Sequence, residues 1–388
     1  KTVVRGGFGI FYDKPEGNII FGQPGIQPFS VAVQYLNGNL ASPSGGAGVR
    51  PTITSQISAV DPNFVVARVM QFSLSVQHQL PDGILLDVAY VGNLGRHEVR
   101  QPNINVPSFA TAAASVGLTT NQQRPYLGYT NIVQFRSDSD SNYNALQLSV
   151  TKRKGNVTAA ASYTYSKALG QTSGYSDNPE PECPFACTTP AGQLVGWKQF
   201  YRTPLTFDRR NMFVTSYSYD SPFFKSRTGI AGNILSGWQL SGIIRAQSGQ
   251  PLTVSGSQTI GSAGTGVTAF TRRANVVSGV PLDSGYTCPA AKVCSFNPAA
   301  FAAPPLNGVG NAPTGNILGP GYYAWDLSLR KNVRVGEGKK LAFQADAFNV
   351  FNHPNWGNPG TTVTGGGFGQ IGSSNPPRNI QFGAKLTF

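Results

Sequence analysis

The sequence is poor in the side chains that usually do chemistry. Charged residues are only 12 % of its 388 positions, and there are three His, four Cys, two Met and four Trp. His78, His97 and His353 have no Cys or second His at ligand spacing, which argues against a zinc site. Asp138, Ser139, Asp140, Ser141 and Asn142 imitate the opening of a calcium loop. Tyr143 stands where the turn glycine is needed and Ser149 where the closing Glu is needed, so the match fails. Gly365, Gly366, Gly367, Phe368 and Gly369 precede neither Lys-Ser/Thr nor a helix, and read as loop rather than phosphate cradle. No Ser/His/Asp arrangement is suggested by spacing. The expectation is a chain that is not an enzyme and holds no cofactor and no metal.

Long apolar runs are missing too. No stretch approaches the ~18–20 apolar residues of a membrane helix. The formal net charge is +13, yet the basic residues form no run. Arg50, Arg68, Arg96, Arg100, Arg124, Arg209, Arg210, Arg272 and Arg273 are spread over predicted loops and strand ends. That pattern argues against nucleic acid as a partner. The chain opens at Lys1 without Met or signal peptide, and Thr2 already lies in an alternating segment, so a fragment or processed remainder of something longer is expected.

What is abundant is aromatic and turn-forming: 11 % aromatics, 46 Gly and 28 Pro. These suit a β-rich chain with long loops. Residues 378–388 show why. Ile380, Phe382, Ala384, Leu386 and Phe388 fall on one face of a strand, and Gln381, Gly383, Lys385 and Thr387 on the other. The alternation runs to a terminal aromatic carboxylate. This ending resembles the C-terminal signal by which bacterial outer-membrane proteins are recognised for barrel assembly.

The same period recurs at residues 2–12, 69–79, 84–91, 144–153, 157–166, 209–219, 237–246, 323–332 and 340–350. Short turns at 80–83, 153–156, 221–229 and 334–339 alternate with long loops at 13–67, 92–142, 167–207, 247–321 and 352–377. Tyr and Trp gather near strand ends, as at a membrane interface. Strands of ~9–11 residues with short turns on one side and long loops on the other predict an all-β transmembrane antiparallel barrel of the outer-membrane type. If the C-terminus is periplasmic, parity puts every short turn on the periplasmic side, provided that short extended pieces at 29–35 and 131–136 do not cross. About ten crossing strands result, with those two pieces as extracellular excursions. A soluble sandwich or propeller would instead have loops of similar length on both sides and charged outer faces.

With the strands placed, the stretches at 5–13 (RGGFGIFYD), 87–92 (DVAYVG), 143–147 (YNALQ), 162–167 (SYTYSK), 207–210 (FDRR) and 348–354 (FNVFNHP) resemble, in order, the barrel of Oar-like TonB-dependent receptors. Barrels of such transporters have about 22 strands. The resemblance therefore implies that residues 1–388 are the C-terminal portion of a receptor barrel, with the TonB box, the plug and the N-terminal domains absent. It implies a place in the outer membrane of a Gram-negative bacterium and uptake of an unidentified solute, with TonB acting through the missing plug. A surface structural or adhesion protein, or a passive pore, is the alternative.

The implied partners are outer-membrane lipid, lipopolysaccharide phosphates meeting outward loops, the barrel-assembly machinery and the solute. Arg5, Asp87, Arg245, Asp326, Arg330, Asp346 and Lys385 are candidates to face the lumen, holding a plug or lining a path; wall residues pairing across strands is the plainer reading. Four cysteines in predicted extracellular loops suggest local disulfides, Cys183 with Cys187 and Cys288 with Cys294, although three connectivities are open.

Overall fold

A strand whose alternate residues are apolar needs neighbours in register, or its greasy face breaks up. In the computed structural model that register holds across one antiparallel sheet. The structure describes residues 1–17, 19, 34–36, 40–41, 47–49, 57–105, 120–127, 129, 131–174, 187–188, 194–224, 229–256, 272–283, 288, 292–304, 310–336 and 339–388. The main path of the sheet follows chain order through β1 (Thr2–Tyr12), β2 (Arg68–Gln79), β3 (Ile84–Arg100), β4 (Ile132–Lys152), β5 (Val157–Gly170), β6 (Asn211–Asp220), β7 (Trp238–Gln247), β8 (Tyr322–Gly336), β9 (Lys339–Phe348) and β10 (Asn379–Thr387).

Directly opposed residues share a face, so the pairings can be followed across the sheet. Phe8 faces Phe72, Val88 faces Leu148, Leu148 faces Tyr163, and Tyr163 faces Phe213. The row resumes through Ile244 opposite Trp325, Leu327 opposite Ala347, and Ala347 opposite Ile380. The apolar face stays exposed: Phe8 is 70 %, Ile10 49 % and Phe382 80 % accessible. So wide a greasy surface is unfavourable in water and suits lipid. The opposite face carries mostly Gln, Ser, Thr and scattered charge, although Val3, Phe11, Leu85, Met212, Val214 and Ile243 interrupt it.

Two large rings lie over glycines on the neighbouring strand. A Cβ on Gly92 would come within 2.2 Å of the Phe72 ring, and one on Gly242 within 2.7 Å of the Tyr217 hydroxyl. Only glycine leaves room for those rings. At one turn, Pro81 leads into Asp82 (φ 58) and Gly83 (φ 72), left-handed residues that reverse the chain between β2 and β3.

The strand ends joined by 80–83, 153–156, 221–237 and 337–338 lie at one edge of the sheet, and those joined by 13–67, 101–131, 171–210, 248–321 and 349–378 at the other. Four strands differ from expectation: β8 runs on through Gly336 into the expected turn at 334–339, and β3, β4 and β5 are longer as well. Residues 92–100 continue β3, and 167–170 continue β5, where loops were expected. Residues 131–136 are no separate excursion, since Ile132 to Lys152 form one strand of 21 residues. A crossing needs only ~9–11 residues, so β3 to β5 project beyond the apolar band on the long-loop side. Ile57–Val60 adds in parallel to the projecting part of β4, and Thr203–Pro204 adds to β5. Of the expected extended piece at 29–35, residues 29–33 lie outside the described residues.

A charge in the middle of the apolar face tests this assignment. Leu148→Arg should cost about 2–4 kcal/mol, whereas Gln147→Arg, on the other face, should stay within about 0.5 kcal/mol. Denaturant unfolding from phospholipid vesicles would measure both.

Candidate functional site

The long-loop edge is a folded cap. Val254, Ala274, Phe296, Ala300, Phe301, Ala312 and Ile317 form a buried core within the fourth long connection, and Val363 and Phe368 of the fifth pack against it. Phe296, Phe301 and Phe368 meet edge to face, with centroids 5.3 to 6.4 Å apart. Cys288 and Cys294 are joined by a disulfide. The pairing of Cys183 with Cys187 lies outside the described residues.

A second set of contacts ties the third connection to its neighbours. The short helix α1 (Trp197–Phe200) lies between two arginines. Arg100, buried at the tip of β3, places its guanidinium 3.9 Å from the Trp197 ring centroid. Its Nε and Nη2 donate to Asp138 at 2.5 and 2.7 Å. Arg273, from the fourth connection, lies 3.7 Å over the Phe200 ring. Planar guanidinium groups suit both roles, stacking on rings and forking onto a carboxylate. Lys198 donates to Asp140 at 2.9 Å.

On the polar face, where this cap meets the sheet, is a cavity of about 330 Å³. Its apolar walls include Phe64, Leu205 and Phe207, and its polar lining includes Asp13, Lys14, Glu16, Glu98 and Ser141. Glu98 is brought there by an irregularity. The pairing of β3 with β4 shifts register on both sides of Glu98, and His97 is left-handed at φ 59. Such bulges re-aim side chains. The Glu98 carboxyl folds back over Gly95, where a Cβ would stand 2.1 Å from Oε1, and accepts a 2.6 Å hydrogen bond from Ser141. Burial raises this carboxyl above the ordinary carboxylate value; the Ser141 bond opposes the shift, Asp140 adds to it and Arg96 opposes it. A larger hollow, about 660 Å³, opens beside Tyr163, Phe213, Tyr323 and Trp356 on the apolar face.

The seven expected lumen-facing residues all have the parity of the polar face. Arg245 and Asp326 are brought together at 3.0 Å. Asp326 also accepts from the Asn349 amide at 2.9 Å, holding the exit of β9. Arg330 pairs with Gln239 and Gln344, and Asp346 accepts from Gln344. Arg5 opposes Ser75, Asp87 opposes Gln77 and Ser149, and Lys385 opposes Ala342. Apart from Arg245 with Asp326, no two of the seven are ion-paired among the described residues. Asp138 to Asn142 lie in β4 rather than a loop, and His97 lies in β3 rather than a loop. His78 faces outward near the short-turn end, its Nδ1 2.7 Å from the Thr2 hydroxyl.

Sequence reading missed Glu98, Arg100, Asp138, Trp197 and Arg273 as a group. Trp197, Lys198, Phe200, Tyr201 and Arg202 do carry a signal, an aromatic and basic interleaving inside a Pro/Gly-rich loop. Nothing local announces the bulge at His97. The motif at 207–210 ties the third connection to its surroundings. Asp208 is buried and accepts from the Ala168 amide at 2.8 Å, while Arg209 donates to Gln250 at 2.8 Å.

The sequence matches the family described as outer membrane beta barrel domain over residues 1–381. No curated protein matches it. Among solved structures, the outer membrane transporter YddB from Escherichia coli is similar over 100 % of this chain and 38 % of its own, with TM-score 0.52 and 10 % identity. The ferric-catecholate import receptor Fiu from E. coli K12 is covered over 33 % of its length by 100 % of this chain, with TM-score 0.40 and 12 % identity. The pyoverdine receptor FpvA from Pseudomonas aeruginosa gives TM-score 0.40 and 12 % identity over 84 % of this chain and 30 % of its own. The chain thus spans well under half the length of these proteins.

Two outcomes follow from the site. Removing the buried guanidinium by Arg100→Ala strands Asp138 and bares Trp197, and Arg100→Lys keeps the charge without fork or stack; both should speed amide exchange across 197–205, the Ala variant at least tenfold, by a loss of about 1.5–3 kcal/mol. Burial raises the Glu98 carboxyl, so its ionised form weakens the fold above that raised value and the penalty vanishes below the unfolded carboxylate value. Arg96, Asp140, Asp13, Lys14 and Glu16 surround it. Glu98→Gln should therefore raise the unfolding midpoint at pH 8 and leave it unchanged at pH 3.

Proposed function

Because the chain belongs to the outer membrane beta barrel domain family, and so resides in the outer membrane of a Gram-negative bacterium, we propose that it is part of a receptor for TonB-dependent uptake of a solute. In this reading it is not an enzyme. Residues 1–388 are the C-terminal portion of the barrel, and the plug on which TonB acts lies outside them. The observation that carries the reading is the two-faced sheet beneath a folded cap: one face apolar and uncovered, with Phe8, Ile10 and Phe382 among its exposed residues, the other polar and opening under the long connections. A passive pore has no need of so built a mouth.

Each part then has a role. Arg5, Asp87, Arg245, Asp326, Arg330, Asp346 and Lys385 line the lumen, where they hold the plug or border the solute path. Ile380, Phe382, Ala384, Leu386 and Phe388 present the closing strand to the barrel-assembly machinery. Outer-membrane lipid covers the apolar face, and lipopolysaccharide phosphates meet the basic residues of the outward connections. The alternative, a surface structural or adhesion protein, draws support from the core and disulfide of the cap, which would stiffen an adhesive surface equally well.

Spent-medium analysis separates these readings. Wild-type, gene-deleted and TonB-deficient cells are grown on a complex solute mixture. Uptake predicts at least one solute whose depletion is lost in both mutants. Loss in the gene deletion alone would mean a passive pore, and unchanged depletion with weaker attachment would mean adhesion. Deleting Phe388 should lower the folded, heat-modifiable protein severalfold relative to total protein, read on gels of outer membranes.

A further inference from the structure

We infer that the cavity beneath the cap is a binding site for a cationic amine or guanidinium group carried on an apolar body, with Glu98 as its charged acceptor. This rests on the reading of the polar face as the solute path and names the chemistry that path first meets. Three features converge. The walls contributed by Phe64, Leu205 and Phe207 suit an aromatic or aliphatic body. The described lining carries Asp13, Glu16 and Glu98 against Lys14, an acidic balance in a chain whose formal charge is +13. An anion would therefore be drawn to the rest of the surface rather than to this cavity.

The third feature is how Glu98 is held. Its Oε1 is fixed by the Ser141 hydroxyl at 2.6 Å, while Oε2 has no hydrogen-bond partner among the described residues. Arg96, whose charge favours the ionised carboxyl, makes its hydrogen bonds to the carbonyls of Gly95 at 2.6 Å and Ser141 at 3.2 Å. The bulge at His97 thus delivers a half-buried carboxyl, oriented by a hydroxyl and not ion-paired among the described residues, into a cavity large enough for a small ring. Apolar walls with a few convergent polar groups are the usual make-up of a small-molecule site. A bound ammonium supplies the direct ion-pair partner that Glu98 does not have among the described residues, and a charge-assisted bond of that kind is the stronger sort.

The test uses the full-length protein that carries this chain, in lipid nanodiscs, with three probes of one shape: benzylamine, benzyl alcohol and benzoate. Saturation-transfer NMR should rank benzylamine first. Glu98→Gln, which can still accept from Ser141, should weaken benzylamine at least about tenfold and leave benzyl alcohol unchanged. Gly95→Ala provides a second handle, because its methyl displaces the carboxyl without altering any charge; it should weaken benzylamine as well. If benzylamine and benzyl alcohol bind alike, or if both variants keep wild-type benzylamine affinity while remaining heat-modifiable, the inference is overturned. If one variant does not fold, the other decides. Binding in nanodiscs involves no TonB, so uptake that proves TonB-independent would sink the transport reading and leave this result standing.

Discussion

Everything in this molecule depends on one constraint: in hydrocarbon, each backbone amide and carbonyl must be satisfied by the neighbouring strand. Once adjacent strands are bonded along their length, side-chain parity is no longer free. A slip by one residue anywhere would turn an entire strand's apolar set toward the polar side. The shared parity of Phe8, Leu148, Phe213 and Ile380, all on one face of the sheet, is the visible result. Phe72 over Gly92 and Tyr217 over Gly242 reinforce the register, because each ring fits only where its partner has no Cβ. The Trp325 indole donates to the Tyr217 hydroxyl at 2.9 Å, so one of these ring–glycine pairs is tied to β8 as well.

Beyond the membrane the constraint relaxes, and the same strands are put to other use. β3, β4 and β5 carry on past the apolar band, where both of their faces meet protein or water. There the ladder accepts a parallel strand, tolerates two register shifts, and directs Glu98 and Arg100 to different partners. A rigid scaffold thereby reaches into the cap, and the side chains that border the cavity are held by strands rather than by loops alone. Arg100 from the tip of β3 and Arg273 from the fourth connection, both stacked on α1, then close the cap on itself.

This division explains what was legible in the sequence. Strand positions could be read wherever one face meets lipid, since only there must every second residue be apolar. Residues 136–142, Arg-Ser-Asp-Ser-Asp-Ser-Asn, have no such alternation, and so read as loop although they are continuous strand. The parity of Arg245 and Asp326 was legible for the same reason that Trp325 and Leu327 were. Their mutual ion pair was not, because Arg245 and Ala324, not Asp326, are directly opposed. The cavity was least legible of all: its lining joins residues from the first and third connections with β3 and β4, and its central carboxyl owes its direction to a left-handed His97.

The aromatic trio of Phe296, Phe301 and Phe368 has a mechanical meaning. Two of the rings belong to the connection between β7 and β8, and the third to the connection between β9 and β10. Segments joined by a shared buried core open together or not at all. The fourth and fifth connections therefore form a single cooperative unit that spans β8 and β9 from outside. Whatever reaches the mouth of this sheet meets, on that side, one packed plate rather than two independent arms.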